Sequence, residues 1–175
     1  QADVGSTAVV IGLSDSGGAT NTHAFTLEVS NTNDAPVVAS LSDTTATEDL
    51  LFLRPLSATD EDPTDSTFTF TLSAGPDSAA IDDQNRLVWT PTQVDVGAHI
   101  LTVRVADDDG AIDSTSFTVT VVEVDDLPTI SSTPDTTASE DTAYEYAVVA
   151  IDEEGGSLSY TLVTAPTGMT IDTTG

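Results

Sequence analysis

The chain has 175 residues, and its 30 Asp plus Glu against 3 Lys plus Arg give it a formal net charge of -27. This charge repels phosphate backbones and anionic lipid headgroups, so it argues against nucleic-acid and membrane-surface partners. The chain contains no cysteine, which excludes disulfides, cysteine-ligated metals and a cysteine nucleophile. No apolar run approaches the roughly 20 residues that a membrane helix needs, so no membrane insertion is predicted.

Alternating apolar residues predict β-strands along the whole chain, and no segment of useful length has helical spacing. A hairpin comes first, with Val9, Ile11 and Leu13 on one strand and Phe25, Leu27 and Val29 on the next. Further strands are predicted near 37–41, 51–58, 67–72, 87–89, 100–105 and 116–122. Phe68, Phe70 and Leu72 are expected to share one face of their strand, with Thr residues on the other face.

The sequence repeats itself at an offset of 92 residues. The acidic hairpin turn at Asp15 returns at Asp107, and the linker that ends at Pro36 returns as the one that ends at Pro128. After Asp62 the later copy is two residues shorter, and the offset becomes 90. A register kept over so many positions predicts a tandem array of similar modules.

The repeat divides the chain into three parts. We predict the C-terminal part of a first module over 1–33, a complete module over 34–125 and the N-terminal part of a third module over 126–175. Gln1 then corresponds to Gln93 and Gly175 to Asn85, so the two ends are complementary partial modules. Six or seven short strands in about 92 residues, separated by Gly, Pro and Asp turns, predict an all-β fold of tandem Greek-key β-sandwiches.

Acidic residues cluster at four fixed places in the module. They occupy the linker, the Thr-Glu-Asp segment around Glu48, the loop at Asp60 and the hairpin turn at Asp107. Carboxylates packed into short loops repel one another unless a cation neutralises them, and Ca²⁺ takes roughly 6 to 8 hard oxygen ligands. The alternative is an ordinary solvated acidic surface, but that would place acids on the strand faces too, which carry mostly Thr and Ser. The sequence therefore favours calcium sites.

Several of these segments together resemble a known family. The linker Asn33-Asp34-Ala35-Pro36, the Asp60-Glu61-Asp62 loop, Glu48 and the Ala106-Asp107 turn are similar to cadherin-type repeats. They resemble more closely the cadherin-like and Ig-like modules of large bacterial surface adhesins, and the resemblance covers the whole chain. It implies tandem β-sandwiches with Ca²⁺ bound at their junctions, in an extracellular or cell-surface location.

The resemblance also implies which residues would bind calcium at each junction. For the first junction these are Asn33 and Asp34 from the linker, Asp60 and Asp62 from the following loop, and Asp107 from the hairpin turn. For the second junction they are Glu48, Asp95, Asp125, Asp126, Asp152 and Glu154. Asp95 lies in Gln93-Val94-Asp95, where the family has Asp-Arg-Glu.

The leading functional hypothesis is a non-catalytic spacer of a secreted or surface-anchored adhesin or extracellular fibre, whose partners are the neighbouring modules of the same array. A carbohydrate-binding module is an alternative, with Trp89 and Tyr146 as candidate stacking residues. Homotypic head-to-tail self-assembly through the complementary ends is another. Carboxylate pairs could serve a glycosidase, but acids at the loop ends of small sandwiches have no cleft to act in. His23 and His99 are interpreted as structural, since neither has a catalytic or ligand partner at useful spacing.

Overall fold

The computed structural model describes residues 3–62 and 66–174. Gln1 and Gly175, which the repeat pairs with Gln93 and Asn85, lie outside the described residues. The chain begins with an antiparallel hairpin of β1 (Gly5–Ser14) and β2 (Thr20–Val29). In the described ranges, no helix is long and apolar enough to cross a bilayer.

The described part of 34–125 contains nine strands and one turn of 3-10 helix. The strands are β3 (Val37–Val38), β4 (Thr44–Thr47), β5 (Phe52–Pro55), β6 (Ala58–Thr59), β7 (Thr69–Ala74), β8 (Ala80–Ile81), β9 (Arg86–Trp89), β10 (Gly97–Ala106) and β11 (Ile112–Val122). The 3-10 turn, Gln93–Asp95, lies between β9 and β10. One sheet has the order β4-β11-β10-β7, a second has the order β5-β9-β8, and β3 pairs with β6. Because β7 and β10 are neighbours while β8 and β9 lie in the other sheet, the connections cross between sheets as in a Greek key.

One hydrophobic core joins the two sheets, so the module is a β-sandwich. Its fully buried side chains alternate along the strands, as the predicted period of two requires. They include Leu87 and Trp89 from β9, Leu101, Val103 and Val105 from β10, and Phe117, Val119 and Val121 from β11. Phe70 is buried in this core while Phe68 and Leu72 pack against it, which confirms the predicted shared face.

The structure corrects the predicted strand over 51–58. The segment splits into β5, which pairs with β9, and β6, which pairs with β3. Between them the backbone N–H of Leu56 donates to the carbonyl oxygen of Asn85 at 3.0 Å, and the Leu56 side chain is buried. At Leu56 the chain therefore stops pairing with β9 and begins to pair with β3. The hydropathy pattern does not reveal this change, so it predicts one strand where the structure has two.

The 92-residue repeat is visible in the backbone. The hairpins β1–β2 and β10–β11 have the same register, since Val9 faces Phe25 just as Leu101 faces Phe117. In the C-terminal region β12 (Thr129–Ile130) pairs with β13 (Ala150–Ile151), and these are the counterparts of β3 and β6. Two pairings of the module over 34–125, those of β10 with β11 and of β3 with β6, therefore recur outside it.

Candidate functional site

The first acidic junction forms around the linker at residues 33–34. The side-chain Nδ2 of Asn33 donates to Oδ2 of Asp107 at 3.1 Å. The backbone N–H of Asp34 donates to Oδ2 of Asp62 at 2.7 Å, and the N–H of Asp62 donates to Oδ1 of Asp60 at 2.9 Å. The linker thus contacts the hairpin turn through Asn33 and the following loop through Asp34.

The hairpin turn between β10 and β11 fixes the position of Asp107. Its Oδ1 accepts the backbone N–H of Ala111 at 2.8 Å, and its own N–H donates to the carbonyl oxygen of Ala111 at 3.2 Å. Gly110 closes the turn with a φ of 93°, a left-handed conformation that glycine adopts without strain. Asp15 makes the same two contacts with Ala19 in the first hairpin. One oxygen of Asp107 is thus used to build the turn, while the other faces the linker.

The first junction contains a carboxylate oxygen whose burial is not compensated by a hydrogen bond. Asp62 and Asp107 are buried, and Oδ2 of Asp60 is buried without a hydrogen-bond partner among the residues that the structure describes. Removing a charged oxygen from water without a donor or a cation is unfavourable, and such groups in folded proteins call for a partner. The arrangement at Asp60 is therefore suited to a cation.

Glu48 is the most deeply buried acid of the second junction, with 1% of its surface exposed. It follows β4, and its backbone N–H donates to the carbonyl oxygen of Val122 at 3.1 Å. Its Oε1 accepts the N–H of Val124 at 2.5 Å. The Gln93 amide, with its nitrogen turned toward Glu48, donates to Oε2 at 2.8 Å. Glu48 is thereby held against the start of the second linker.

The second linker repeats a contact of the first. The backbone N–H of Asp126 donates to Oε1 of Glu154 at 2.9 Å, and these residues are the counterparts of Asp34 and Asp62. The other oxygen of this carboxylate, Oε2 of Glu154, is buried, and no residue of the described ranges donates to it. Within 3–62 and 66–174, each junction therefore holds a buried carboxylate oxygen that lacks a donor.

Glu153 adds to the negative charge at the second junction. Loss of solvent contact raises its pKa above the usual range, and the charges of Asp126, Asp49, Glu154 and Glu48 raise the pKa further. Asp49 and Glu153 belong to the acidic clusters that the sequence repeats, but the resemblance did not imply them as ligands. Four carboxylates, from the linker, the Glu48 segment and the same loop, therefore act on Glu153.

Other predicted ligands of this junction have different contacts in the structure. Asp95 caps the 3-10 turn through its carboxylate, which accepts the backbone N–H of Thr92 at 3.0 Å, while Gln93 is the residue that meets Glu48. Asp152 accepts the N–H of Gly156 at 2.7 Å. Asp125 lies exposed in the linker.

The donor set at both junctions consists of carboxylate and amide oxygens, which are the hard ligands that Ca²⁺ prefers. As the side chains lie, no three acids or histidines converge on one point within the described ranges. Instead, most of these carboxylates accept backbone N–H groups, and two oxygens remain without a donor. The chemistry of these residues suits a calcium ion. Such an ion would attract carboxylate oxygens that now accept hydrogen bonds from different N–H groups.

The candidate sugar-stacking role of Trp89 is wrong. Its side chain is 1% exposed, and its Nε1 donates to Oγ of Ser78 at 3.0 Å. The ring of His99 packs edge-on against it, with the ring centroids 5.3 Å apart, and Nε2 of His99 donates to the carbonyl oxygen of Asp95 at 2.7 Å. Both residues therefore support the core and the turn beside it.

Comparison with known structures shows the same kind of fold. The EC21-23 fragment of human CDH23 matches with a TM-score of 0.56 at 17% identity, over 87% of this chain and 55% of that chain. The protocadherin GammaB4 extracellular domain matches with a TM-score of 0.55 at 19% identity, over 97% of this chain and 33% of that chain. An endo-fucoidan hydrolase of glycoside hydrolase family 107 matches with a TM-score of 0.44 at 25% identity, over 99% of this chain and 28% of that chain. The chain thus spans about a quarter to a half of the proteins it matches.

Sequence comparison assigns the family. No curated protein sequence matches the chain. The family model He_PIG, whose description is Putative Ig domain, matches residues 35–122 and again residues 127–175. Because these two matches cover well over half of the chain, the chain belongs to this family of Ig-like domains, and its fold is that of cadherin-like tandem β-sandwich modules.

Proposed function

We propose that the chain is a non-catalytic structural spacer, in which tandem β-sandwich modules are held in line by Ca²⁺ at their junctions. The modules would be those predicted from the repeat, over 1–33, 34–125 and 126–175. The observation that carries the proposal is the pair of buried oxygens without donors, on Asp60 at one junction and on Glu154 at the other. Such a spacer belongs in a secreted or surface-anchored protein, with neighbouring modules of the same array as its partners.

The proposed ligands lie on three segments at each junction. At the first junction they are Asn33, Asp34, Asp60, Asp62 and Asp107. At the second they are Glu48, Asp125, Asp126, Asp152 and Glu154, to which we add Asp49 and Glu153 because their charges reach the same place. Asp95 is left with the role of holding the turn that presents Gln93 to Glu48.

A bound Ca²⁺ would neutralise the negative charges of these acids. At the second junction the linker acids lie between Glu48 of the preceding module and the loop at Asp152 of the following one. At the first junction they meet the loop at Asp60 and the turn at Asp107, both of the following module. A linker whose carboxylates share an ion with the neighbouring segments loses freedom to bend. Since the ligand positions are assembled only in the folded protein, ion binding also adds to the stability of the fold.

The test is to compare the chain in calcium and in a chelator. We expect calcium to raise the melting temperature in calorimetry and to increase the maximum dimension in small-angle scattering, because a stiff linker keeps the modules extended. The variant Asp107→Asn should weaken both responses. The matched control Asp109→Asn removes the same charge from an exposed position in the same turn and should leave them unchanged. Identical melting and scattering curves in calcium and chelator would refute the proposal.

A further inference from the structure

Gln93 presents a neutral side chain to the buried carboxylate of Glu48. With its amide nitrogen turned toward Glu48, that nitrogen lies 2.8 Å from Oε2 and 3.2 Å from Oε1. In this orientation the amide oxygen, on the other side, faces groups that donate hydrogen bonds. Both ends of the amide are therefore satisfied, and the amide supplies Glu48 with a donor but with no charge.

The backbone on both sides of this contact is held by hydrogen bonds. The carboxylate of Asp95 caps the 3-10 turn Gln93–Asp95. The N–H of Asp49 donates to the carbonyl oxygen of Pro91 at 2.8 Å, which joins the Glu48 segment to the residues before the turn. The amide nitrogen and oxygen can therefore exchange places while the backbone stays where it is.

A half-turn of the amide about its terminal bond exchanges its nitrogen and oxygen within the same space. The oxygen then takes the nitrogen's position, 2.8 Å from Oε2 of Glu48 and 3.2 Å from Oε1, and it faces only acceptors there. Three oxygens so placed repel one another when no donor or cation lies between them. Oxygens that share one Ca²⁺ ion, each at about 2.3–2.6 Å from it, lie about 3 Å from one another, so the second orientation suits a bound ion.

The acids near Glu48 favour a cation at this place. Besides loss of solvent contact, the charges of Asp126, Asp49, Glu154 and Glu48 raise the pKa of Glu153. Glu48 thus belongs to a group of acids whose charges act at one place, and a cation there would relieve their repulsion. The neutral amide of Gln93 leaves that repulsion in force.

The sequence has the same glutamine in its other copy of this segment. Gln1-Ala2-Asp3 corresponds to Gln93-Val94-Asp95 at the offset of 92 residues, so the glutamine and the aspartate recur while the residue between them differs. The third glutamine of the chain, Gln84, lies exposed in the turn between β8 and β9. It provides a reference amide that is remote from the contact with Glu48.

We propose that the Gln93 amide is a switch that sets the calcium concentration at which this junction fills. Its nitrogen faces Glu48 in the absence of the ion, and its oxygen faces Glu48 when Ca²⁺ is bound. Filling the site breaks the hydrogen bonds of the first orientation, so the amide shifts filling to higher calcium concentrations than a carboxylate at position 93 would. The inference rests on the proposed function, since it concerns the same junction.

The main experiment follows the Gln93 amide by NMR in the full chain, with the glutamine side chains labelled with ¹⁵N. In chelator the NH₂ protons of Gln93 should exchange with water more slowly than those of Gln84, because Gln93 donates to Glu48. Calcium should raise the exchange rate of Gln93 toward that of Gln84 and leave Gln84 unchanged. This measurement uses the parent chain, so it does not depend on how any variant folds.

Calorimetry on the same samples separates the two proposals. A melting temperature that rises in calcium, together with a Gln93 amide that stays protected from exchange, would overturn the switch and leave the calcium-bound spacer standing. A melting temperature that calcium does not change would overturn both. A rise in both the melting temperature and the exchange rate of Gln93 supports both.

A charge-changing variant tests the effect on the calcium concentration. Gln93→Glu keeps the shape of the side chain but cannot donate, so in chelator it should melt lower than the parent chain, since two carboxylates then face each other. Its calcium titration midpoint should move to about tenfold lower concentration or more, because the hydrogen bond that binding no longer has to break contributes at least that factor. The matched control Gln84→Glu adds the same charge at an exposed position and should change neither value. A midpoint for Gln93→Glu at or above that of the parent chain would contradict the inference.

Discussion

Replacing Glu48 tests both the local structure and the proposed calcium dependence. Its buried carboxylate accepts one hydrogen bond from the N–H of Val124 and, with the Gln93 amide nitrogen turned toward it, a second from that amide. Hydrogen bonds to a charged group contribute roughly 1.5–3 kcal/mol each, so Glu48→Ala should lower the free energy of unfolding by about 3 kcal/mol or more. For a module of this size, each kcal/mol shifts the melting temperature by about 4–8 °C. Glu48→Gln keeps the shape and an acceptor for Val124, so its melting temperature in chelator should change far less.

The calcium response of these variants is the informative measurement. A site filled at about a hundredfold excess over its Kd adds about 2.7 kcal/mol to the free energy of unfolding. In calorimetry the parent chain should then melt roughly 10–20 °C higher in calcium than in chelator. Glu48→Gln should lose much of this difference, whereas Glu123→Gln, which removes an exposed charge near the same linker, should keep it. A full calcium response in Glu48→Gln would refute the assignment of Glu48 to a metal site.

Three further predictions concern single residues. Hydrogen bonding to the Arg86 side chain holds the pKa of Asp82 below its usual range. The ionised carboxylate therefore stabilises the fold fully at neutral pH, and this stabilisation is lost as the pH falls through the pKa of Asp82 in the folded protein. Urea midpoints measured against pH should fall less steeply in acid for Asp82→Asn than for the parent chain. The pKa of Glu153 is raised by loss of solvent contact and by neighbouring acids, so its ionised form is unfavourable at neutral pH; Glu153→Gln should melt higher in chelator and gain less from calcium. Leu101→Ala empties a fully buried position and should lower the free energy of unfolding by about 2–5 kcal/mol in urea titrations, against about 0.5 kcal/mol or less for the exposed neighbour in Ile100→Ala.

The repeat was the most informative property of the sequence. Period-two alternation predicted the buried face of β10 and β11, because one strand face must be apolar when a sheet packs on a core. The resemblance to cadherin-type repeats implied that the linker acids would meet the loop acids, and the offset of 92 residues pairs Asp34 and Asp62 with Asp126 and Glu154. The structure shows the same contact in both copies.

Other features were not predicted because they depend on contacts distant in sequence. β4 has one buried apolar residue, Ala46, and becomes a strand only because β11 lies beside it. The contribution of Gln93 and the capping role of Asp95 follow from how the 3-10 turn sits against Glu48. The raised pKa of Glu153 comes from loss of solvent contact and from acids of the linker and of the Glu48 segment, which are distant in sequence.

The parallel pairing of β4 with β11 determines how the module responds to tension. Strand β4 runs beside residues 119–122 of β11, so a strand near the start of the module is hydrogen-bonded to the last strand of the module. A pull on the two linkers slides these strands past each other and loads their hydrogen bonds together, instead of opening them one after another. The Glu48 contacts with Val122 and Val124 extend this clamp to the linker itself. This shear geometry predicts that the module resists extension along its length more than it would if its terminal strands were peeled apart.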